Sequence, residues 1–336
     1  MTPTRLFHGL VVLGLLLAGS SAWAGDTPQR PRVGLVLGGG GARGAAHVGV
    51  LETLERLHVP VDCVAGTSMG ALAAGAFAAG RSPTEMREEL AKADWNDMFQ
   101  DNPSYSEINY RNKAISKRFM PGSETGVLDD GVSYQGGVVA GQKIKLFFNR
   151  LVHADQGERY LEDLPLPVAI IATDIGNGER VVMREGSLTM AMRASMSVPG
   201  LLAPVNYRER KLVDGGLVDN LPISEVRERC LADVVIAVDI SAPPSRQPLR
   251  GTLDVLLQTF TIMGQNLARF ELKDADVVIR PQVGNIGGMQ GLGQLLQAQG
   301  ITSLDRLENR CDTPGVQRLF VLCLDCCLPI AHRASK

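Results

Sequence analysis

Neither sign of charge dominates this sequence. Its 336 residues include 34 basic and 36 acidic side chains, so the formal net charge is -2 and the isoelectric point is about 6.2. A protein that binds nucleic acid broadly carries a basic excess, and this chain has none. It also lacks basic arms, heptads and internal repeats. We therefore predict no nucleic-acid partner and a globular protein, since 45% hydrophobic residues can form a substantial core.

Long apolar runs are also missing, except near the N-terminus. Arg5 precedes an apolar run from Leu10 to Ala18, and the small-x-small sequence Ala22–Ala24 follows. A membrane-spanning helix needs about 20 apolar residues, and this run is shorter. The pattern predicts a secretory signal peptide over residues 1–24, with a membrane anchor as the alternative. The protein is then expected to be exported: periplasmic, associated with the outer membrane, or secreted.

Cysteine is scarce, and four of the six cysteines follow residue 310. Cys323–Cys326 has the spacing of half a zinc site, but no second pair faces it, so we do not predict a metal there. Cys63 and Cys230 lie in apolar runs and are expected to be buried packing residues. Periodicity is lost near Gly300. Residues 301–336 are therefore treated as a separate cysteine-rich tail that is native, truncated or frame-shifted.

Apolar runs and amphipathic segments alternate from residue 33 onward. Val33 to Leu37 is typical of a buried strand, and Ala45 to Leu57 of a helix with one apolar stripe. The alternation predicts a three-layer α/β/α sandwich with a mainly parallel central sheet over residues 25–300. Residues 94–140 interrupt it with aromatic, glycine and proline residues, and are expected to form a long loop or lid.

A G-x-S-x-G pentapeptide spans Gly66 to Gly70, between a predicted strand and a predicted helix. In this context the motif is typical of a nucleophile elbow, in which a strained turn projects the serine hydroxyl. A Cβ at Gly66 or Gly70 would crowd the neighbouring strand and helix. The motif therefore predicts Ser68 as a nucleophile, although a plain glycine-rich turn would have the same composition.

A second glycine-rich turn, Gly39 to Gly44, follows the first predicted strand. Its amides can converge on one point, so Gly39, Gly40 and Gly41 are expected to form an oxyanion hole, with Arg43 adding charge or bracing the loop. The same sequence also fits the G-x-G-x-x-G motif of a dinucleotide-binding turn. That alternative needs an acidic residue at the tip of the second strand, whereas Asp62 is predicted to lie inside it.

A nucleophilic serine needs a base, and histidine is poorly placed for the role. The five histidines are His8, His47, His58, His153 and His332. His47 and His58 are expected to be surface or packing residues, and His332 lies in the tail. Asp214 ends a predicted strand and is followed by Gly215 and Gly216, which let its carboxylate approach another loop. We therefore predict a Ser68–Asp214 dyad.

These three motifs, in this order, resemble the patatin-like phospholipase family. The resemblance extends over roughly residues 31–285 and includes Met192–Ser195, Asp214–Pro222 and Val234–Ser241. It implies a Ser-Asp dyad, a glycine oxyanion hole, no metal or other cofactor, and hydrolysis of acyl esters in glycerophospholipids. The implied roles fall on Ser68 and Asp214, and on the Gly39–Arg43 loop.

Two other functions stay open at this point: a nucleotide-binding module that uses the Gly39–Gly44 loop, and a non-catalytic interaction domain. Residues 95–125 combine aromatic and basic side chains, and we expect either a lipid-facing lip or an ordinary solvated loop. The sequence leaves the oligomeric state open, with a homodimer as one option.

Overall fold

Strands and helices alternate along most of the chain. The computed structural model describes residues 30–98, 125–128, 131–134, 137–154, 157–244, 248 and 251–283. The predicted signal peptide, the cysteine-rich tail and most of the predicted lip lie outside the described residues. Residues from Arg32 onward form one unit, which contains every element given below.

The strands are β1 (Val33–Leu37), β2 (Cys63–Thr67), β3 (Thr125–Leu128), β4 (Gly131–Tyr134), β5 (Gly137–Val139), β6 (Val168–Asp174), β7 (Arg180–Met183), β8 (Gly200–Leu202), β9 (Val205–Tyr207), β10 (Arg210–Asp214), β11 (Val234–Val238) and β12 (Val277–Ile279). The α-helices are α1 (Ala46–Arg56), α2 (Met69–Ala78), α3 (Pro83–Lys92), α4 (Trp95–Met98), α5 (Gln142–Leu151), α6 (Leu188–Ser195) and α7 (Thr252–Glu271). Short 3₁₀ turns cover Gly41–Ala45, Leu161–Asp163, Gly215–Leu217 and Leu272–Asp274, and a π-helical turn covers Glu225–Arg229.

One mixed sheet organises these elements. Its strand order is β12-β11-β1-β2-β6-β10-β9, and β7 also pairs with β6. The strands from β12 to β6 are parallel, whereas β7, β10 and β9 join antiparallel. The predicted α/β architecture with a central sheet and flanking helices is confirmed.

Apolar side chains project from both faces of this sheet. Along β1, Leu35 and Leu37 join one buried cluster with residues of α1 and α2, whereas Val36 joins a second cluster. The second cluster also contains Ala268 of α7 and Val226 of the π-helical turn. Because a strand buried on both faces needs a layer on each side, helices and turns cover the sheet from both directions.

The strand register brings two distant parts of the chain together. Thr67, the last residue of β2, pairs with Ile171 of β6. The next residue of β6, Ala172, pairs with Asp214 at the end of β10. Ser68, which follows Thr67, therefore lies beside Asp214.

Cys63 and Cys230 pack in a buried apolar cluster as expected, but they are also joined in a disulfide across 167 positions, with their Cα atoms 6.4 Å apart. The described parts of residues 94–140 include α4 and the strands β3 to β5, so the segment is not a plain loop. Among the described helices, none has both the length and the apolar character required to cross a bilayer.

Candidate active site

Ser68 occupies the turn between β2 and α2. Its backbone has φ 55° and ψ -123°, a conformation that a residue with a side chain rarely adopts. The side chain is 7% exposed, and its Oγ donates a hydrogen bond of 2.6 Å to Oδ2 of Asp214. The predicted nucleophile and base are thus in direct contact.

Close backbone approach explains the predicted glycines around this pair. A Cβ on Gly66 would lie 2.5 Å from the carbonyl oxygen of Gly70, and one on Gly70 would lie 2.0 Å from that of Leu37. A Cβ on Gly215 would lie 2.4 Å from the carbonyl oxygen of Ile171. Backbone atoms cannot move aside as a flexible side chain can, so these positions exclude any larger residue.

Asp214 is held on every polar atom. Oδ1 accepts from the amide of Gly216 at 2.8 Å, and the backbone N–H donates to the carbonyl of Ser197 at 3.0 Å. Its own carbonyl accepts from Thr173 Oγ1 at 2.8 Å. Burial raises the pKa of Asp214 to about 6, against the opposing effect of its hydrogen bonds from Ser68 and Gly216. A base with this pKa is ionised at neutral pH and still able to take a proton.

The first glycine loop lies against the nucleophile. A Cβ on Gly39 would lie 3.1 Å from Cβ of Ser68. Within the described residues, the amides of Gly39 and Gly40 donate to no protein acceptor. Gly41 has φ 61° and begins a 3₁₀ turn. Free amides beside a buried hydroxyl are the donors that an oxyanion requires.

Arg43, predicted to add charge to this loop, is buried. Burial lowers its pKa, opposed by the negative charge of Asp239. Its Nε has no hydrogen-bond partner in the described part of the chain. The side chain is therefore buried rather than on the surface.

Sequence reasoning assigned no role to the end of α6, which contacts both members of the pair. Ser195, fully buried, accepts the amide proton of Ser68 at 2.8 Å on its Oγ. Two residues later, the carbonyl of Ser197 accepts from the amide of Asp214. Arg193 fixes the segment through Ser197 Oγ at 2.5 Å. The resemblance included this sequence, but only the fold shows what it touches.

A pair of carboxyl groups supports the loop after Asp214. Glu271, at the end of α7, accepts the amides of Asn220 and Leu221 at 3.0 and 2.8 Å. Asp219 accepts from Arg180 at 2.6 Å. Burial, and then the charge of Asp219, raise the pKa of Glu271, and burial raises that of Asp219. The two hydrogen bonds of Glu271 tie α7 to the loop.

The other candidate residues do not reach this centre. Asp62 precedes β2 rather than lying inside it, and its carboxylate accepts the amide of Val33 at 2.7 Å. It therefore lies at the end of the strand opposite the glycine loop, where a dinucleotide ribose would not be bound. Among the described residues, no histidine contacts Ser68 or Asp214.

The sequence is similar to curated proteins over most of its length. An NTE family protein of Mycobacterium tuberculosis is 32% identical over 283 residues, which cover 76% of this chain and 42% of that protein. Lysophospholipase NTE1 of Meyerozyma guilliermondii is 32% identical over 287 residues, 85% of this chain and 17% of the relative. The chain thus spans less than half the length of these relatives.

Two solved structures match this chain with low similarity. VipD from Legionella pneumophila matches with a TM-score of 0.41 and 15% identity, over 88% of this chain and 67% of that one. The type III effector protein ExoU matches with a TM-score of 0.41 and 14% identity, over 88% and 54%. The family model for patatin-like phospholipases matches residues 35–227, more than half of the chain. This chain belongs to the patatin-like phospholipase family.

Proposed function

We propose that this protein is a serine acyl hydrolase that cleaves acyl esters of glycerophospholipids, as a phospholipase A or lysophospholipase. The observation that carries the proposal is the 2.6 Å hydrogen bond between Ser68 Oγ and Asp214 Oδ2 in a buried site. A serine hydroxyl becomes a useful nucleophile when a base lies within hydrogen-bond reach. This pair meets that condition without a third residue.

In the first half of the proposed reaction, Asp214 takes the Oγ proton as Oγ bonds to the ester carbonyl carbon. The carbonyl oxygen becomes an oxyanion, to which the free amides of Gly39 and Gly40 donate. The bond to the alcohol then breaks, and the alcohol leaves with the proton from Asp214. In the second half, Asp214 deprotonates a water as the water oxygen bonds to the acyl carbon of acyl-Ser68. The bond from that carbon to Oγ then breaks and Asp214 returns the proton to Oγ, which releases the fatty acid and restores the serine.

An apolar cavity lies close to the nucleophile, but its free volume of about 10 Å³ matches one water molecule and is too small for an acyl chain. It lies between α1, α2, α3 and α5, and it includes Met69, the residue after Ser68. Its lining residues are Gly44, Val48, Met69, Leu72, Ala73, Met86, Leu90 and Leu151. The proposed lipid substrate therefore rests on the family and not on this cavity. The name lysophospholipase of one relative agrees with this substrate class.

The disulfide supports an exported location. Cysteine pairs of this kind form and persist in oxidising compartments and are rare in the cytosol, and Cys63 and Cys230 form such a pair. Together with the leader-like N-terminus, this leads us to place the protein in the periplasm, at the outer membrane or outside the cell.

A fluorophosphonate probe and a fluorogenic acyl ester test the proposal. We expect labelling and turnover in the wild type, and neither in Ser68→Ala. Ser82→Ala is the matched control, because Ser82 is a serine that caps α3, away from the site. If Ser68→Ala is labelled and turns over the ester as the wild type does, the proposal is wrong. Fatty acid released from phosphatidylcholine and lysophosphatidylcholine then defines the substrate class.

A further inference from the structure

His47 is a buried histidine that the proposed reaction does not use. It lies in the first turn of α1, directly after the glycine loop, and its side chain has no solvent exposure. Nε2 lies 2.8 Å from the carbonyl oxygen of Gly38. A carbonyl only accepts, so Nε2 carries the proton. Nδ1 has no hydrogen-bond partner in the described part of the chain.

This arrangement lowers the stability of the fold, so a functional role would explain why it is present. A buried polar atom without a partner destabilises the fold, and an apolar side chain of similar size would avoid that cost. Burial also lowers the pKa of His47 to about 4, against the opposing effect of the Gly38 carbonyl. The ring is therefore neutral at neutral pH, and its one hydrogen bond is the contact that remains to be explained.

The planarity of the peptide bond links this contact to the site. The carbonyl of Gly38 and the N–H of Gly39 belong to one peptide unit, and in a trans peptide they point in opposite directions. Gly38 is also held from its other side, because its amide donates to the carbonyl of Val238 at 3.1 Å. Fixing the Gly38 carbonyl thus fixes the direction of the Gly39 N–H.

Gly39 is the residue of the loop that lies against Ser68, and its amide has no protein acceptor among the described residues. Glycine peptides rotate more freely than others, since no Cβ restricts φ and ψ. A glycine loop therefore needs an external contact to keep one amide pointing at one place. The hydrogen bond from His47 is such a contact.

We propose that His47 is a positioning residue that aims the Gly39 amide at the oxyanion formed on Ser68. The inference rests on the proposed function and adds a residue that touches neither substrate nor the reacting atoms. Its effect is on transition-state stabilisation, because the oxyanion exists only after Oγ has attacked.

Three substitutions separate positioning from packing. His47→Leu fills the space without a donor. In His47→Gln the side-chain amide nitrogen can occupy the place of Nε2, whereas in His47→Asn it reaches only the place of Nδ1. Thr53→Val is the matched control, because Thr53 is buried on the same helix and donates to Gly49 rather than to the glycine loop.

We expect His47→Leu to lower kcat by about 10- to 1,000-fold, the range up to the loss of an oxyanion donor, with KM within about twofold. His47→Gln should recover most of kcat, His47→Asn should not, and Thr53→Val should match the wild type. Inhibition by a long-chain alkyl trifluoromethyl ketone, which forms an oxyanion adduct with serine, should weaken in parallel with kcat.

Several results would overturn the inference. One is a folded His47→Leu with wild-type kcat; another is equal activity in the Gln and Asn variants. If His47→Leu does not fold, the Gln and Asn pair still decides. A wild type whose ester turnover does not depend on Ser68 would instead refute the proposed function itself, so the two failures are distinguishable.

Discussion

Replacing Asp214 with asparagine should remove activity and yet stabilise the fold. Asparagine has the same shape, its oxygen can accept from Gly216, and its NH₂ can donate to Ser68 Oγ. The change therefore removes the buried charge, at the cost of the hydrogen bond that the Ser68 hydroxyl donates to Oδ2. Burial raises the pKa of Asp214 from 3.8 to about 6. At 1.36 kcal/mol per pKa unit, the folded protein spends about 3 kcal/mol to ionise this group.

The sign of the pH dependence follows from proton binding. Between pH 3.8 and about 6 the unfolded chain has lost the Asp214 proton and the folded protein retains it. The free energy of unfolding of the wild type therefore falls with rising pH in this window, and the loss is complete above it. Asp214→Asn lacks that loss. Its advantage over the wild type should grow by about 2–3 kcal/mol from pH 4 to pH 8.

Urea denaturation of both proteins across this pH range measures the difference, because other titrating groups are common to both and cancel. Asp163→Asn serves as the control, since Asp163 is exposed and has no burial cost. In the wild type, kcat/KM should fall about tenfold per pH unit below pH 6, as the base becomes protonated. A stability difference that does not change with pH, or an Asp214→Asn variant that is less stable at pH 8, would refute the reasoning.

Three other substitutions test the supports of the site. Replacing both Cys63 and Cys230 with alanine should lower the free energy of unfolding by about 2–5 kcal/mol; equal urea midpoints for this variant and the oxidised wild type would contradict it. Ser195→Ala should cost about 1–3 kcal/mol, because the amide of the nucleophile is left buried without an acceptor, and should lower kcat; unchanged stability and kcat would show that this hydrogen bond contributes nothing. Gly70→Ala should cost about 3 kcal/mol or more, since its Cβ would meet a strand carbonyl, whereas Gly251→Ala, with open space around it, should be near neutral in thermal unfolding.

The hydrophobic pattern of the sequence predicted those helices and strands whose periodicity is visible within their own residues. The strand predicted from Val33 to Leu37 has those bounds in the structure, and the helix predicted from Ala45 to Leu57 spans Ala46–Arg56. α3 was missed although its start is marked locally: Ser82 and Glu85 form a capping box. The short strands β5 and β8 pair with each other across about 60 positions, and no local pattern encodes such a partner.

The same distinction applies to the site. Motif spacing was enough to predict Ser68 and Asp214, because each lies in a glycine-rich turn with a recognisable composition. The support from Ser195 was not predictable in this way. Its hydrogen bond to Ser68 joins residues 127 positions apart, and it depends on where α6 ends relative to the register of β2 and β6. The residues around Ser195 in the sequence do not indicate that it contacts Ser68.

Two features of this centre each lower the stability of the fold. Their removal should change the free energy of unfolding in opposite directions. Asp214 is ionised in a buried place, and Ser68 is held in a strained backbone conformation. The first cost belongs to a charge, so removing the charge should stabilise the fold while it removes the base. The hydrogen bond from the Ser68 amide to Ser195 holds the strained backbone of Ser68 in place. Removing that acceptor should therefore destabilise the fold and disturb the nucleophile. We expect both changes to lower activity, and we expect one to raise and the other to lower the free energy of unfolding. Such opposite signs at one site are expected where stability has been exchanged for reactivity, and general loss of packing would not produce them.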